Sequence, residues 1–326
     1  MKMLRYIIRR LLWAAVMLCL VTAVIFTIFF VLPGGTAKRE EGRLSPVAVK
    51  MAGRNPRPEL VRHIERRLGL DRPVYVQFAR YIGNAAQLDF GYSYHSNQPV
   101  RAAVLHRLPA TISLAVGASV VWLVIGVGLG VISALRRRSI WDRSSMLLAL
   151  IGVSLPTFWL GLMAVFYFDS RLGVYSVGEY APITENFGQW LSSMWLPWLV
   201  LAVVSAAFYT RMVRGNLLEV QGEDYIRTAR AKGLRERSVI RHALRSALTP
   251  VVTMYGLDLG ILLGGAVITE RIFNIPGIGA QAVNSIQNSD LPIVLGITIV
   301  AAFFVIIANL LVDIVYAGLD PRVRYS

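Results

Sequence analysis

Two carboxylates stand inside stretches that are otherwise apolar. Asp258 lies midway along Leu248 to Thr269, and Asp313 closes Leu291 to Val312. An ionisable side chain at membrane depth is costly, so it marks a transport path, a buried hydrogen-bonded pair or a water-filled cavity. Asp258 has three readings: a group lining the path that attracts an amino terminus, the partner of a buried Asn or Tyr, or part of a water-filled cavity. For Asp313 a structural hydrogen bond is the better fit. Other chemistry lacks its residues. A phosphate-binding loop needs Lys followed by Ser or Thr, and Lys2, Lys38, Lys50 and Lys232 are followed by Met, Arg, Met and Gly. The chain is therefore not expected to hydrolyse ATP itself. G-x-S-x-G and H-E-x-x-H do not occur, and His63, His95, His106 and His242 have no metal-ligand spacing. The one cysteine, Cys19, sits among apolar residues as a small hydrophobe. No catalytic residue, cofactor or metal is expected.

The elements that must position these acids are membrane spans. The chain has 326 residues, of which 55% are hydrophobic and 16% charged, against about 25% charged in soluble domains. Its net charge of +15 falls at the ends of apolar segments, where topology and anionic lipid headgroups account for it better than nucleic acid does. The longest charged run between two apolar segments in the second half of the chain follows Leu191 to Thr210: nine Lys/Arg and four acids lie between Arg211 and Arg245. Tyr225, Ile226, Ala229 and Leu234 can share one helical face, and Val239, Ile240, Ala243, Leu244 and Ala247 another. Gly233 between them favours a turn. This predicts two short helices hinged at Gly233, on the cytoplasmic side.

Arg227-Thr228-Ala229, followed after three residues by Gly233, has the spacing of the E-A-A-x-x-x-G loop of ABC importer permeases. Tyr225 to Leu234, with His242-Ala-Leu-Arg-Ser-Ala-Leu-Thr-Pro250, resembles its form in dipeptide and oligopeptide permeases, although Arg227 and Thr228 replace Glu-Ala. The resemblance continues in Leu68-Gly-Leu-Asp-Arg-Pro73, Gln77-Phe-Ala-Arg-Tyr81, Asp89-Phe-Gly-x-Ser93, Ser154-Leu-Pro-Thr-Phe-Trp-Leu-Gly161, Glu270-Arg-Ile-Phe-Asn-Ile-Pro-Gly-Ile-Gly279 and Leu319-Asp-Pro-Arg322. Leu88 and Gly35-Thr36 depart from the family pattern. The resemblance implies that Asp224, Tyr225, Arg227, Thr228, Ala229, Arg230, Ala231, Lys232 and Gly233 form a coupling helix seated on a partner ATPase. It also implies a homologous second permease, two ATPase subunits and an extracytoplasmic substrate-binding protein.

In order, residues 1–32 read as a cytoplasmic N-terminus and an uncleaved first span, Leu11 to Leu32, stopped by Pro33-Gly34-Gly35. Residues 33–109 read as an extracytoplasmic region with a helix from Pro58 to Leu70. Residues 110–326 hold five further spans and a cytoplasmic coupling loop over 214–250. Those spans are Leu108 to Leu135, Ser144 to Phe168, Leu191 to Thr210, Leu248 to Thr269 and Leu291 to Val312. Pro156 is expected to break the third, where freed backbone groups suit a path or simple packing. Gly126-x-Gly128-x-Gly130 and Gly256-x-x-x-Gly260-x-x-x-Gly264 offer surfaces for close helix approach, the latter towards a partner permease or within the chain. Trp190 and Trp195 suit the lipid interface. Six spans put both termini in the cytoplasm of an inner-membrane protein.

The expectation is an all-α, six-span type I permease that forms half of an alternating-access pore for dipeptides or oligopeptides. Nickel complexes, glutathione or oligosaccharides are alternatives within the resemblance. An ion-driven secondary transporter, which would show an internal repeat and midspan ion ligands, fits less well.

Overall fold

The computed structural model describes residues 2–32, 45–52, 57–70 and 72–319. The predicted stop at Pro33-Gly34-Gly35, the Gly35-Thr36 departure, Asp71 and the Asp320-Pro321-Arg322 end lie outside them, as does the side chain of Asp313.

Helix α1 spans Lys2–Phe26 and runs on through a wider turn at Thr27–Val31. One side of it, including Leu12, Trp13 and Leu20, is exposed apolar surface of the kind lipid covers. The other buries Ile25, Phe26 and Phe30 beneath Phe78 and Tyr81. Three short helices follow: α2 (Pro46–Met51), α3 (Pro58–Leu68) and α4 (Val74–Ala86). The predicted α3 ends earlier than Leu70, because Gly69 takes the left-handed conformation (φ 64°) that terminates a helix. A two-residue hairpin, β1 (Tyr92–Ser93) against β2 (Gln98–Pro99), leads into the main bundle.

That bundle is built on α5 (Val100–Leu135) and α8 (Phe187–Gln221), which pack along each other. Small residues allow the approach: a side chain at Gly117 would overlap Trp198, and Cβ atoms at Gly126 and Gly130 would lie 2.7 Å from Tyr209 Cβ and Val213 Cβ. Gly128 faces open space. Trp198 Nε1 donates to the carbonyl of Ser113 at 2.9 Å. Trp190 and Trp195 pack partly into this core. Helix α8 does not stop at Thr210 but continues through Arg211 and Arg214 to Gln221. The basic residues there are helical, and one of them is paired within the bundle.

Helix α6 (Ile140–Ser154) and α7 (Thr157–Val165, extended by a wider turn at Phe166–Arg171) meet at 95°. The break falls at Leu155-Pro156, where proline has no N–H to continue the ladder. The stretch expected as one kinked span is thus a sharply folded pair. After α8 come α9 (Asp224–Ala231), α10 (Glu236–Ala247) and α11 (Thr249–Leu263), the last two at 45°. The fifth apolar stretch ends its helix before Thr269, at Gly264 and Gly265 (φ 118°). Then follow α12 (Val267–Ile272), α13 (Ile278–Gln287) and α14 (Leu291–Leu319). The Gly256/Gly260/Gly264 face lies against α14 of the same chain, at Val312, Val305 and Ala308, and Ala301 respectively. Among the described residues four helices are long and apolar enough to cross a membrane, and the count reaches six when each bent pair is one span. Among the described residues the regular structure is all helical apart from the small hairpin.

Candidate partner interface and pathway

The α9–α10 pair sits where the ends of α5 and α8 converge. Ile226 is fully buried in a cluster with Ala134 of α5, Leu217 of α8 and Val239, Ala243 and Ala247 of α10. The turn between the pair is closed by Gly233 at φ 75°, a left-handed conformation. Gly233 N donates to the carbonyl of Arg230 at 2.9 Å, and Leu234 N to that of Ala229 at 3.3 Å. Across the same turn Arg230 reaches Glu236 with Nη2–Oε1 at 2.9 Å and Nε–Oε2 at 3.3 Å. Tyr225 Oη donates to Ser246 Oγ at 3.1 Å.

The sequence-predicted residues of this element are together and point outward. Asp224, Arg227, Thr228, Arg230, Ala231, Lys232 and Gly233 are exposed, and Ala229 is half-buried. The predicted apolar face of α9 is narrower than its sequence implies. Ile226 and Ala229 turn inward, whereas Tyr225 and Leu234 are each 46% exposed. With Tyr225 and Leu234 outward, α9 offers a mixed apolar and basic surface on a rigid base. The α10 face follows the prediction at Val239, Ala243 and Ala247, which are buried, and at Leu244, packed on the same cluster, whereas Ile240 is half-buried outside it.

Beside this pair lies an anchor that the sequence reasoning missed. Asp142, near the start of α6, accepts from Arg214 Nε (2.7 Å) and Nη2 (3.1 Å), from Ser133 Oγ (2.5 Å) and from the backbone N of Arg138 (2.8 Å). Its own N donates to Ser139 Oγ, which caps α6. A signal was available: Ser139 three residues before Asp142 is a capping pattern, and Arg214 is the cation one helical face from Leu217.

At membrane depth, Asp258 accepts a 2.7 Å hydrogen bond from Tyr209 Oη. Of the partners considered for it, the tyrosine is the one present. The Tyr209 ring lies 6.2 Å from that of Trp122, which is also 6.2 Å from Tyr255. Tyr255 Oη and Ser119 Oγ are 3.1 Å apart. Trp122 Nε1 is buried with no hydrogen-bond partner among the described residues. Pro156 is exposed at the 95° bend.

The end of the bundle away from α9 is ordered around Glu270, which is fully buried. Its Oε1 accepts from Thr111 Oγ1 (2.8 Å) and its Oε2 from the backbone N of Ala280 (2.7 Å), while Thr111 Oγ1 accepts from Ile278 N (2.9 Å). The carboxylate thus caps the first turn of α13 and ties it to α5. Any side chain on Gly277 would overlap this carboxylate, and a Cβ on Gly279 would lie 3.0 Å from its Oε2. Both glycines of the Pro-Gly-x-Gly run are required by close approach. Burial raises the Glu270 pKa above the ordinary glutamate value, opposed by hydrogen bonds from Ala280 and Thr111. Among the described residues no group of three His, Cys, Asp or Glu could hold a metal ion.

Two family descriptions match the chain. Residues 126–325 match the binding-protein-dependent transport system inner membrane component, and residues 3–115 match the N-terminal membrane component of such systems. A Brucella abortus protein provisionally named a peptide transport system permease is 40% identical over 321 residues, covering 98% of this chain and 99% of that one. The dipeptide transport system permease protein DppB of Alkalihalophilus pseudofirmus is 38% identical over 99% of this chain and 100% of its own. The glutathione transport system permease protein GsiC of Escherichia coli K12 is 38% identical with the same coverage. Helices of membrane length and this end-to-end similarity show that the chain belongs to the family of inner-membrane permease components of binding-protein-dependent transport systems.

Proposed function

We propose that this chain forms half of the pore of an ATP-driven peptide importer, paired with a homologous permease. One of two ATPase subunits would grip it at α9, and an extracytoplasmic binding protein would deliver substrate at the opposite end. The observation that carries the reading is the arrangement of α9. Its base, Ile226, is buried against α5, α8 and α10, while Asp224, Tyr225, Arg227, Thr228 and Arg230 to Gly233 face outward. A short helix held on three neighbours and bare on its far side can pass the movement of a partner into the bundle.

Topology supports the same reading. The Arg136–Arg138 turn follows Ala134, which shares a buried cluster with Ile226, so two basic connections share one end. By the positive-inside rule that end is cytoplasmic, and both termini with it. Residues 33–109 then lie outside. The peptide substrate rests on the names of the relatives, and glutathione is itself a tripeptide. Asp258 and the Pro156 bend would line the path and change shape in an alternating-access cycle.

Gly233→Val tests the coupling role in membranes carrying the assembled transporter. A β-branched residue at φ 75° is strained by about 1–2 kcal/mol, and no atom lies within 4 Å to clash with it. The expected result is ATP hydrolysis that no longer drives uptake, with normal amounts of the chain in the membrane. Coupled uptake at the wild-type rate would remove α9 from the role.

A further inference from the structure

A polar cavity of about 300 Å³ opens at the Glu270 end of the bundle, between Arg107 of α5, Tyr180 in the α7–α8 connection, and Arg271, Asn274 and Asn284 around α12 and α13. Arg107 lies 28 residues before Leu135, so at 1.5 Å per residue the cavity is roughly 40 Å from the α9 end. Its charges are unusual. Neither arginine has an ion pair among the described residues. The nearest acid, Glu270, also borders the cavity, but its two oxygens are taken by Thr111 and Ala280. Arg271 Nη1 donates to Asn284 Oδ1, which fixes the guanidinium and leaves its other N–H groups available. Asn274 is held at φ 50°, and a side chain on Gly178, itself at φ 86°, would press on its amide. Thus the wall is shaped, and two arginines without an ion pair among the described residues line a space that can hold the end of a small molecule.

From this geometry we propose that the cavity is a carboxylate site that receives the terminal carboxylate of the transported peptide on the outer side. The inference rests on the peptide-import reading above. A planar guanidinium presents paired N–H donors that match the two oxygens of a carboxylate. Peptides, dipeptides and glutathione, the substrates in the names of the relatives, all carry a free carboxylate, alongside an amino group and amide bonds.

The test is equilibrium binding of labelled dialanine and of dialanine amide to the assembled transporter in lipid nanodiscs, with the binding protein left out. The acid is expected to bind at least ten-fold more tightly than the amide. Arg107→Gln and Arg271→Gln should each reduce that preference, and together abolish it, while Arg271→Lys retains part of it. The acid-versus-amide comparison on the wild-type protein stands even where a variant fails to assemble. Equal binding of acid and amide overturns the proposal, as does a preference that survives in the double variant. Displacement of dialanine by inorganic phosphate more readily than by acetate would also overturn it. So would an intact preference together with impaired stimulation of ATP hydrolysis by the binding protein, which would assign the arginines to docking. Uptake by intact cells is scored separately: no peptide uptake by the wild type refutes the import reading, whatever the nanodiscs show.

Discussion

Arg214 holds Asp142 at two points, Nε to Oδ1 at 2.7 Å and Nη2 to Oδ2 at 3.1 Å, and so joins α8 to the start of α6. Ser133 brings the end of α5 into the same cluster. One residue on from Ser133 is Ala134, and three on from Arg214 is Leu217, both in the buried cluster that holds Ile226 of α9. The seat of the exposed helix and the anchor of the bent α6–α7 pair are therefore built from the same two helix ends. Under the coupling reading, movement imposed on α9 would pass to α6 through this shared cluster and the Arg214–Asp142 pair.

Breaking this pair from one side should be costly. Asp142 is 7% exposed at its side chain and Arg214 26%, so Asp142→Ala leaves a largely enclosed guanidinium without its partner. The expected loss is about 3 kcal/mol, read as a lower melting temperature of the purified chain. Asp142→Ala combined with Arg214→Met should recover part of it, because the double variant leaves no uncompensated charge. A double variant less stable than Asp142→Ala alone would mean that Arg214 has work apart from Asp142.

The two sides of α9 should separate stability from coupling. Ile226→Ala removes a fully buried side chain and should cost about 2–5 kcal/mol. Arg227 is 73% exposed at its side chain and only loosely paired, at 3.5 Å, with Asp224. Arg227→Glu should therefore change stability by less than about 0.5 kcal/mol yet reduce uptake driven by ATP. Thermal melting and vesicle uptake on the same preparations distinguish the two effects. If Arg227→Glu transported normally, the outward face would have to be read as plain solvated surface.

The spans were legible because uncharged stretches of about 20 residues have few other uses, and the Gly233 hinge because only a turn suits glycine between two amphipathic runs. What was not legible depended on partners distant in sequence. The continuation of α8 through Arg214 looked like a basic loop, since nothing local announces that Asp142, 72 residues earlier, will neutralise it. Glu270 was visible only as part of a motif. Its meaning lies in Thr111, 159 residues away, and in the space left by Gly277 and Gly279. Pro156 announced a break but not a 95° fold, because the angle is set by what α6 and α7 pack against. Tyr225 and Leu234 satisfied the helical period yet face outward, which periodicity alone cannot separate from burial.

Glu270 makes a pH-dependent contribution with a definite sign. Burial, the largest influence, raises its folded-state pKa above the ordinary value of 4.5. As pH rises from that value towards the raised one, the unfolded chain gives up the proton while the folded chain keeps it. Stability therefore falls across this window and levels off above it. Glu270→Gln cannot titrate, so the difference in melting temperature, wild type minus variant, should decline with rising pH. A flat difference between pH 4 and pH 8 would show that the α13 backbone and Thr111 fully offset the cost of burying the charge.

Asp258 offers a test of whether charge or hydrogen bonding keeps a carboxylate at this depth. Asp258→Asn retains an oxygen that can accept from Tyr209 Oη, now at 2.7 Å, and removes only the negative charge. Tyr209→Phe does the reverse: it leaves the charge and deletes the donor, at a cost of about 1–3 kcal/mol for the unpaired group. If Asp258 meets the amino group of a passing peptide, Asp258→Asn should lower uptake at least ten-fold with little change in melting temperature, and Tyr209→Phe should mainly lower melting temperature. If its purpose is to hold Tyr209 against Trp122, uptake should survive Asp258→Asn and fail with Tyr209→Phe. Uptake and melting measured on both variants separate the two cases, because each substitution removes what the other preserves.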